Sequence, residues 1–272
     1  MSREKKMMSA DELLCKDDVY QTADRPVSWF AQIFPTCNFY RKFCWNLYRS
    51  SVMARRGKYG DLQWSQTSLE VLEALESVGV RAQVSGLEHI RQLESPCVFV
   101  GNHMSMLETT VLPGIIQPIR DVTFVVKQSL LEYPLFRHVV GTRNPIAVSR
   151  DNPRDDFKTV MQGGIERIEK GISIVVFPQT TRALTFDPAQ FNTIGVKLAL
   201  RAKVPVIPIA LKTDAWGNGK WFKDLGPIDP QKKVHIVFGE PIVIQGRGAD
   251  QHQQIIDYIE AKLNHWSSGN GT

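Results

Sequence analysis

The sequence predicts an α/β protein: a central, largely parallel sheet flanked by helices, with an N-terminal amphipathic helical segment ahead of it. Three observations lead there. Short apolar, β-branched runs recur along the chain, and helix-like stretches separate them. That alternation is the pattern of parallel strands joined by crossover helices. The third is bulk: 272 residues, 43% hydrophobic and 22% charged, suffice for one large buried core and exclude global disorder.

In chain order, residues 1–24 read as a polar tail of mixed charge, without the apolar core of a signal peptide. Residues 25–65 form a basic, aromatic helical segment. From Arg25 to Gly60 there is no acidic residue, while Arg25, Arg41, Lys42, Arg49, Arg55, Arg56 and Lys58 are basic. The chain's net charge is +5, so the remaining residues are slightly acidic. Trp29, Phe30, Phe34, Phe39, Tyr40, Phe43, Trp45 and Tyr48 are interleaved with these cations. Phe39, Tyr40, Phe43, Cys44, Leu47 and Tyr48 share one helix face, and Arg41, Lys42, Asn46 and Arg49 fall largely on the other. Two readings stand. The helix lies on an anionic membrane surface, with Trp29, Phe30 and Phe34 inserted and Arg41, Lys42 and Arg49 facing lipid. Alternatively its aromatics pack on the domain behind it. Nucleic acid is not an expected partner, since no nucleic-acid motif accompanies the charge.

Residues 66–272 form the α/β domain, with the boundary between Gly57 and Gln66. Thr67-Ser68-Leu69-Glu70 has capping-box spacing, which predicts a helix over 68–78. Strands are expected at 97–100, 122–126, 146–148, 172–177, 204–211 and 234–238. Helices are expected near 104–115, 128–140, 154–170, 192–203 and 250–266. No run approaches the ~18 apolar residues of a spanning helix. Cys15, Cys37, Cys44 and Cys97 lack CxxC spacing and read as reduced, mostly packed thiols.

No GxGxxG, Walker loop, GxSxG, HExxH or CxxC is present. What stands out is Asn102-His103-Met104-Ser105-Met106-Leu107-Glu108, a carboxylate five residues after a histidine. A carboxylate can orient an imidazole and leave its other nitrogen as a general base. His89 with Glu94, His235 with Glu240 and His252 with Asp257 share the spacing. On a continuous helix such residues lie ~140° apart, and on a strand they face opposite sides. Only His103 sits at a strand-to-helix corner, where the two side chains can fold together. It is also at the carboxyl end of a strand, where open α/β sheets bind ligands.

Gly-Asn-His-Met-Ser-Met-Leu-Glu resembles the first motif of the glycerophospholipid acyltransferase family, which includes the lysophosphatidic acid acyltransferases. Three further segments match in order. Residues 141–150, ending in Arg150, resemble the second motif. Phe177-Pro178-Gln179-Thr180-Thr181-Arg182 resembles the third, usually Phe-Pro-Glu-Gly-Thr-Arg. Val204 to Ala210 resembles the fourth. The resemblance covers about residues 80–245 and implies transfer of an acyl chain from acyl-CoA or acyl-carrier protein to a lysophospholipid hydroxyl. The acceptor it favours is 1-acyl-glycerol-3-phosphate, in phospholipid synthesis. The alternatives are another lipid hydroxyl, in an ornithine-lipid precursor or glycerol 3-phosphate, and a non-catalytic lipid-binding protein. The resemblance also implies work at the cytosolic membrane face as a peripheral protein, with no metal or covalent cofactor. Within it, His103 is the base and Glu108 orients it. Arg150 and Arg182 hold the acceptor phosphate, with Gln179, Thr180 and Thr181 in the acceptor site, and Lys127 is a further candidate contact for phosphate or CoA. Gln179 and Thr180 depart from the usual Glu and Gly.

Overall fold

The computed structural model describes residues 18–134, 136–179, 181–219 and 224–268. Its centre is a sheet of eight strands: β1 (Tyr20–Gln21), β2 (Ala82–Ser85), β3 (Val98–Gly101), β4 (Val122–Lys127), β5 (Ile146–Val148), β6 (Ser173–Val176), β7 (Val206–Lys212) and β8 (Val234–Phe238). The order is β1-β2-β8-β7-β3-β6-β4-β5. Pairing is parallel throughout β7-β3-β6-β4-β5 and between β2 and β8. It is antiparallel at β7-β8 and β1-β2.

The central strands are buried on both faces, which is why they read as unbroken apolar runs. Alternation sorts their side chains between two cores. Phe99, Val175 and Ile207 point into one, and Val98, Val100, Ile174, Val176 and Val206 into the other. The first core is covered by α2 (Pro35–Arg55), α3 (Asp61–Glu76), α4 (Leu87–Arg91) and α5 (Leu107–Ile116). The second is covered by α7 (Pro153–Glu169), α8 (Ile194–Ala202) and α9 (Ala249–Ser267). Two short helices complete the chain, α1 (Trp29–Ile33) and α6 (Phe136–Gly141).

The basic aromatic segment belongs to the first core. Phe39, Phe43 and Leu47 of α2 are buried, and Phe39 and Phe43 pack on Trp216 with ring centroids 4.7 and 5.1 Å away. The expected division of the helix into faces needs correction. Asn46 donates to Glu70 Oε2 (2.8 Å), Arg49 pairs with the same carboxylate, and Lys42 reaches Ser77 Oγ (2.5 Å). Arg49 and Lys42 therefore reach α3 and its C-cap, because Glu70 and Ser77 stand opposite them. Arg41 is exposed and bonds Asn38 (3.2 Å). The outward face is apolar instead: Trp29, Phe30, Ile33, Phe34, Trp45 and Tyr48 are all exposed.

Other boundaries shift for local reasons. The helix expected from residue 68 begins at Asp61, since Gly60 N–H donates to Gln63 Oε1 (3.0 Å) and starts it there. Thr67 is mid-helix and donates back to Gln63 O (2.8 Å). The stretch 128–140 is a 3₁₀ turn over Gln128–Leu131 and then α6, with Pro134 between them. Cys97 is buried as expected, but Cys37 and Cys44 are exposed on α2; Cys15 lies outside the described residues.

Candidate active site

The parallel strands β3, β6, β7, β4 and β5 end on one side of the sheet, and the motif residues follow those ends. Gly101 closes β3 hard against β7, where an added Cβ would lie 3.0 Å from Ile209 O. Asn102 then clamps the two strands: its Nδ2 donates to Leu211 O (2.8 Å), and Leu211 N–H donates to its Oδ1 (2.9 Å). His103 follows at the corner before α5.

Glu108, in the first turn of α5, is fully buried. Its Oε1 accepts from Met104 N (2.7 Å), Ser105 N (3.0 Å) and Thr213 Oγ1 (2.7 Å). Ser105 Oγ in turn donates to Thr213 O (3.0 Å). Burial pushes the Glu108 carboxyl upward, while the Thr213, Met104 and Ser105 donors oppose that by stabilising the carboxylate. His103 Nδ1 stands 3.8 Å from Glu108 Oε2, buried and without a hydrogen bond. That separation is an ion-pair distance and too long for a hydrogen bond. Catalytic contacts of this kind tighten when substrate binds. Phe177 stacks on the imidazole, with centroids 4.5 Å apart and planes at 11°. Burial first, then Arg182 and Arg150, lower the His103 pKa to about 3. The imidazole is thus neutral and able to accept a proton.

Arg150 and Arg182 come to the same place from different strands. Arg150 follows β5 in the left-handed region (φ 66°), a costly backbone for a non-glycine residue. Asp156 of α7 holds that turn, accepting from Ser149 N (2.9 Å) and Arg150 N (2.8 Å). Burial, and then Arg182, lower the Arg150 pKa. The neighbouring guanidiniums make a positive site that favours an anion. Arg182 is paired with Asp224. Gln179 is buried, and its Oε1 accepts from His103 N (2.6 Å), so it fixes the His103 backbone as well as lining the cavity. Thr181 is exposed at the same rim, and Lys127 lies at the exposed end of β4; both line the cavity. Thr180 lies outside the described residues.

The cavity measures about 930 Å³. One end holds His103, Arg150, Arg182 and Asp224. The other runs between α2, α3, α5 and β4, past Phe43, Leu47, Val71, Met106, Phe124 and Val126. Sequence reasoning missed Ser105, Thr213, Asn218 and Phe177. Asn218 Nδ2 donates to Met104 O (3.0 Å) and steadies the corner from the loop after β7. Thr213 directly follows the fourth motif's strand, and its position there was the available signal. The three other histidines that share the spacing are engaged elsewhere. His89 pairs with its neighbour Glu88 (3.5 Å), His235 stacks on Trp266, and His252 Nε2 bonds Phe191 O (3.0 Å).

Several known proteins are similar to this chain. Residues 81–212 match the family model described as Acyltransferase. The chain is 33% identical over 171 residues to the 1-acyl-sn-glycerol-3-phosphate acyltransferase of Pseudomonas aeruginosa, covering 62% of each chain. It is 29% identical over 143 residues to the enzyme of that name from Haemophilus influenzae, covering 50% of this chain and 59% of the relative. Each match thus takes in less than two thirds of the relative's length. The crystal structure of PlsC, the 1-acyl-sn-glycerophosphate acyltransferase of Thermotoga maritima, superposes with a TM-score of 0.63 at 18% identity. It covers 88% of this chain and 97% of that one, and shows a shared fold. The family match, over just under half of the chain, runs through the motif residues gathered at the strand ends, so in this region the chain is similar to the acyltransferase family.

Proposed function

We propose that the protein transfers a fatty acyl chain from a thioester donor, acyl-CoA or acyl-carrier protein, to the hydroxyl of a lysophospholipid. The acceptor it best fits is 1-acyl-glycerol-3-phosphate. The observation that carries this reading is the neutral His103, backed by buried Glu108 and flanked by Arg150 and Arg182, at the mouth of a long apolar cavity.

The donor is already activated, so the chemistry needs a base and a place for the charge that develops. His103 takes the acceptor hydroxyl's proton as the oxygen attacks the thioester carbonyl. Glu108 stabilises the imidazolium that forms, and the proton then passes to the departing thiolate. A positioned base of this kind contributes ~10²–10⁴-fold. The acceptor phosphate displaces Asp224 from Arg182 and engages the Arg150–Arg182 pair through charge-assisted bonds. The apolar arm takes the acyl chain. This chemistry draws on side chains and the thioester alone, with no cofactor.

The membrane supplies the lipid acceptor. Among the described residues no helix is long and apolar enough to cross one. The exposed Trp29, Phe30, Ile33 and Phe34 of α1 and its junction, with Trp45 and Tyr48 of α2, form an apolar ridge. Arg41, Arg55, Arg56 and Lys58 are exposed on the same segment. That combination suits shallow insertion into an anionic surface.

The test is thiol release from acyl-CoA with a panel of lysolipids. Transfer to phosphate-bearing lysolipids, lost in His103→Ala, is expected. Binding of lysolipid without thiol release from any donor would overturn the enzymatic reading.

A further inference from the structure

The apolar arm of the cavity does not stay apolar. On its wall, seven residues beyond Phe43 along α2, is Ser50, 2% exposed, with no hydrogen-bond partner for its Oγ. Tyr59 and Thr67 line the same region. The Tyr59 hydroxyl lies 2.6 Å from Thr67 Oγ1, and Thr67 donates its own proton to Gln63 O (2.8 Å). Tyr59 must therefore donate to Thr67, which leaves the phenol oxygen free to accept. Ser50 stands beside the same phenol, near enough to oppose the rise that burial gives the Tyr59 pKa, and its oxygen can still accept. A buried hydroxyl left unpaired costs free energy, so this cluster is a poor wall for a plain hydrocarbon chain.

The depth of the cluster narrows the choice. Phe43 is the part of the apolar arm tied to the catalytic end: it packs on Trp216, whose loop carries Asn218, bonded to the corner beside His103. Ser50 lies two helical turns, ~10 Å, farther along α2. Tyr59, Trp64 and Arg143 line the same cavity. The Arg143 guanidinium lies over both rings, donates to Tyr59 O (3.1 Å) and pairs with Asp61.

Given the acyl-transfer reading above, on which this rests, we infer that the donor cavity is built for an acyl chain bearing a hydroxyl remote from the thioester, held between Ser50 and Tyr59. The chain hydroxyl donates to the Ser50 oxygen, beside the Tyr59 phenol. A keto chain could accept but not donate, and a β-hydroxy chain would place its oxygen too near the reacting carbonyl.

The experiment is a competition for transfer to lysophosphatidic acid among stearoyl-CoA, its β-hydroxy form and its mid-chain hydroxy form. The wild-type protein is expected to favour the mid-chain hydroxy donor roughly tenfold in kcat/KM. Ser50→Ala is expected to bring that ratio near one, raising use of plain stearoyl-CoA as well as lowering use of the hydroxylated one. Tyr59→Phe should reduce the ratio too, and Ser50→Thr, which keeps a hydroxyl, should preserve part of it. Equal use of plain and mid-chain hydroxy donors by the wild type, or discrimination that survives Ser50→Ala, would overturn the inference and leave acyl transfer standing. No transfer from any donor would overturn both.

Discussion

At the scale of single residues, the site's logic is a neutral imidazole held in place by its surroundings. Its pKa is lowered to about 3 by burial, Arg182 and Arg150. The acid limb of kcat/KM, which reports the free enzyme, should therefore lie well below the usual histidine value near 6.5. A pH–rate profile with its acid limb at or above 6.5 would contradict this. His103→Ala should abolish transfer without unfolding, while Ala at His89 or His252 should leave activity within a few-fold. Gln179 supplies a single acceptor to the base's backbone. Gln179→Glu retains an acceptor oxygen and should cost little in kcat, whereas Gln179→Ala should cost about tenfold, the worth of one buried hydrogen bond and an orphaned donor. Arg182→Lys keeps charge but loses the planar fork, so efficiency with phosphate-bearing acceptors should fall more than tenfold. Asp224→Ala should instead lower the acceptor KM, since Arg182 loses its internal competitor. Steady-state kinetics across phosphorylated and neutral acceptors would separate these cases. His103 and Glu108 could be picked out from sequence because a strand-to-helix corner is local. Ser105 and Asn218 could not, because their meaning lies in bonds made across the fold.

At the scale of elements, α2 shows how far periodicity reaches. It correctly groups Phe39, Phe43 and Leu47, which are buried. It cannot say that Glu70 of the next helix draws Asn46 and Arg49 inward and so leaves Trp45 and Tyr48 outside. The consequence for membrane attachment is specific. Charge reversal at Arg49 should lower Tm by breaking its pair with Glu70. Binding to anionic vesicles should respond instead to Trp29→Ser with Phe34→Ser, and to reversal of Arg55 and Arg56. Vesicle sedimentation at two salt concentrations measures this, and unchanged binding of the aromatic double variant would refute it. Among the strands, β3, β6 and β7 were legible because burial on both faces makes them uniformly apolar. The two-residue β1 and the Ala-Gln-Val-Ser of β2 were not, being short and half polar. The start of α3 was misplaced because Thr67-Ser68-Leu69-Glu70 imitates a cap that Gly60 and Gln63 provide.

At the scale of the whole molecule, the segment 25–65 and the sheet share one core, so the α/β layers do not close without α2. Phe39→Ala should cost roughly 3–5 kcal/mol, measurable by urea unfolding. Acid should also weaken the fold through His235, whose pKa is lowered to about 4 by burial, with Lys233, Lys212 and His265 adding. Its folded value lies below its unfolded one, so the unfolded chain binds the proton more readily between them. Stability is then lost as pH falls from ~6.5 towards 4, and His235→Asn should flatten that loss in a pH series of unfolding midpoints. The clamp between Asn102 and Leu211 has a larger consequence. It ties the backbone just before His103 to the end of a strand that also places Thr213 against Glu108. On the proposed acyl-transfer reading, activity is thereby coupled to the local opening of one strand end. The Leu211 amide proton, held by Asn102 Oδ1, becomes a reporter: its hydrogen-exchange rate should track the fraction of molecules whose base is misaligned. Warming or mild denaturant would then remove the proposed activity by fraying β7 before the rest of the sheet lets go.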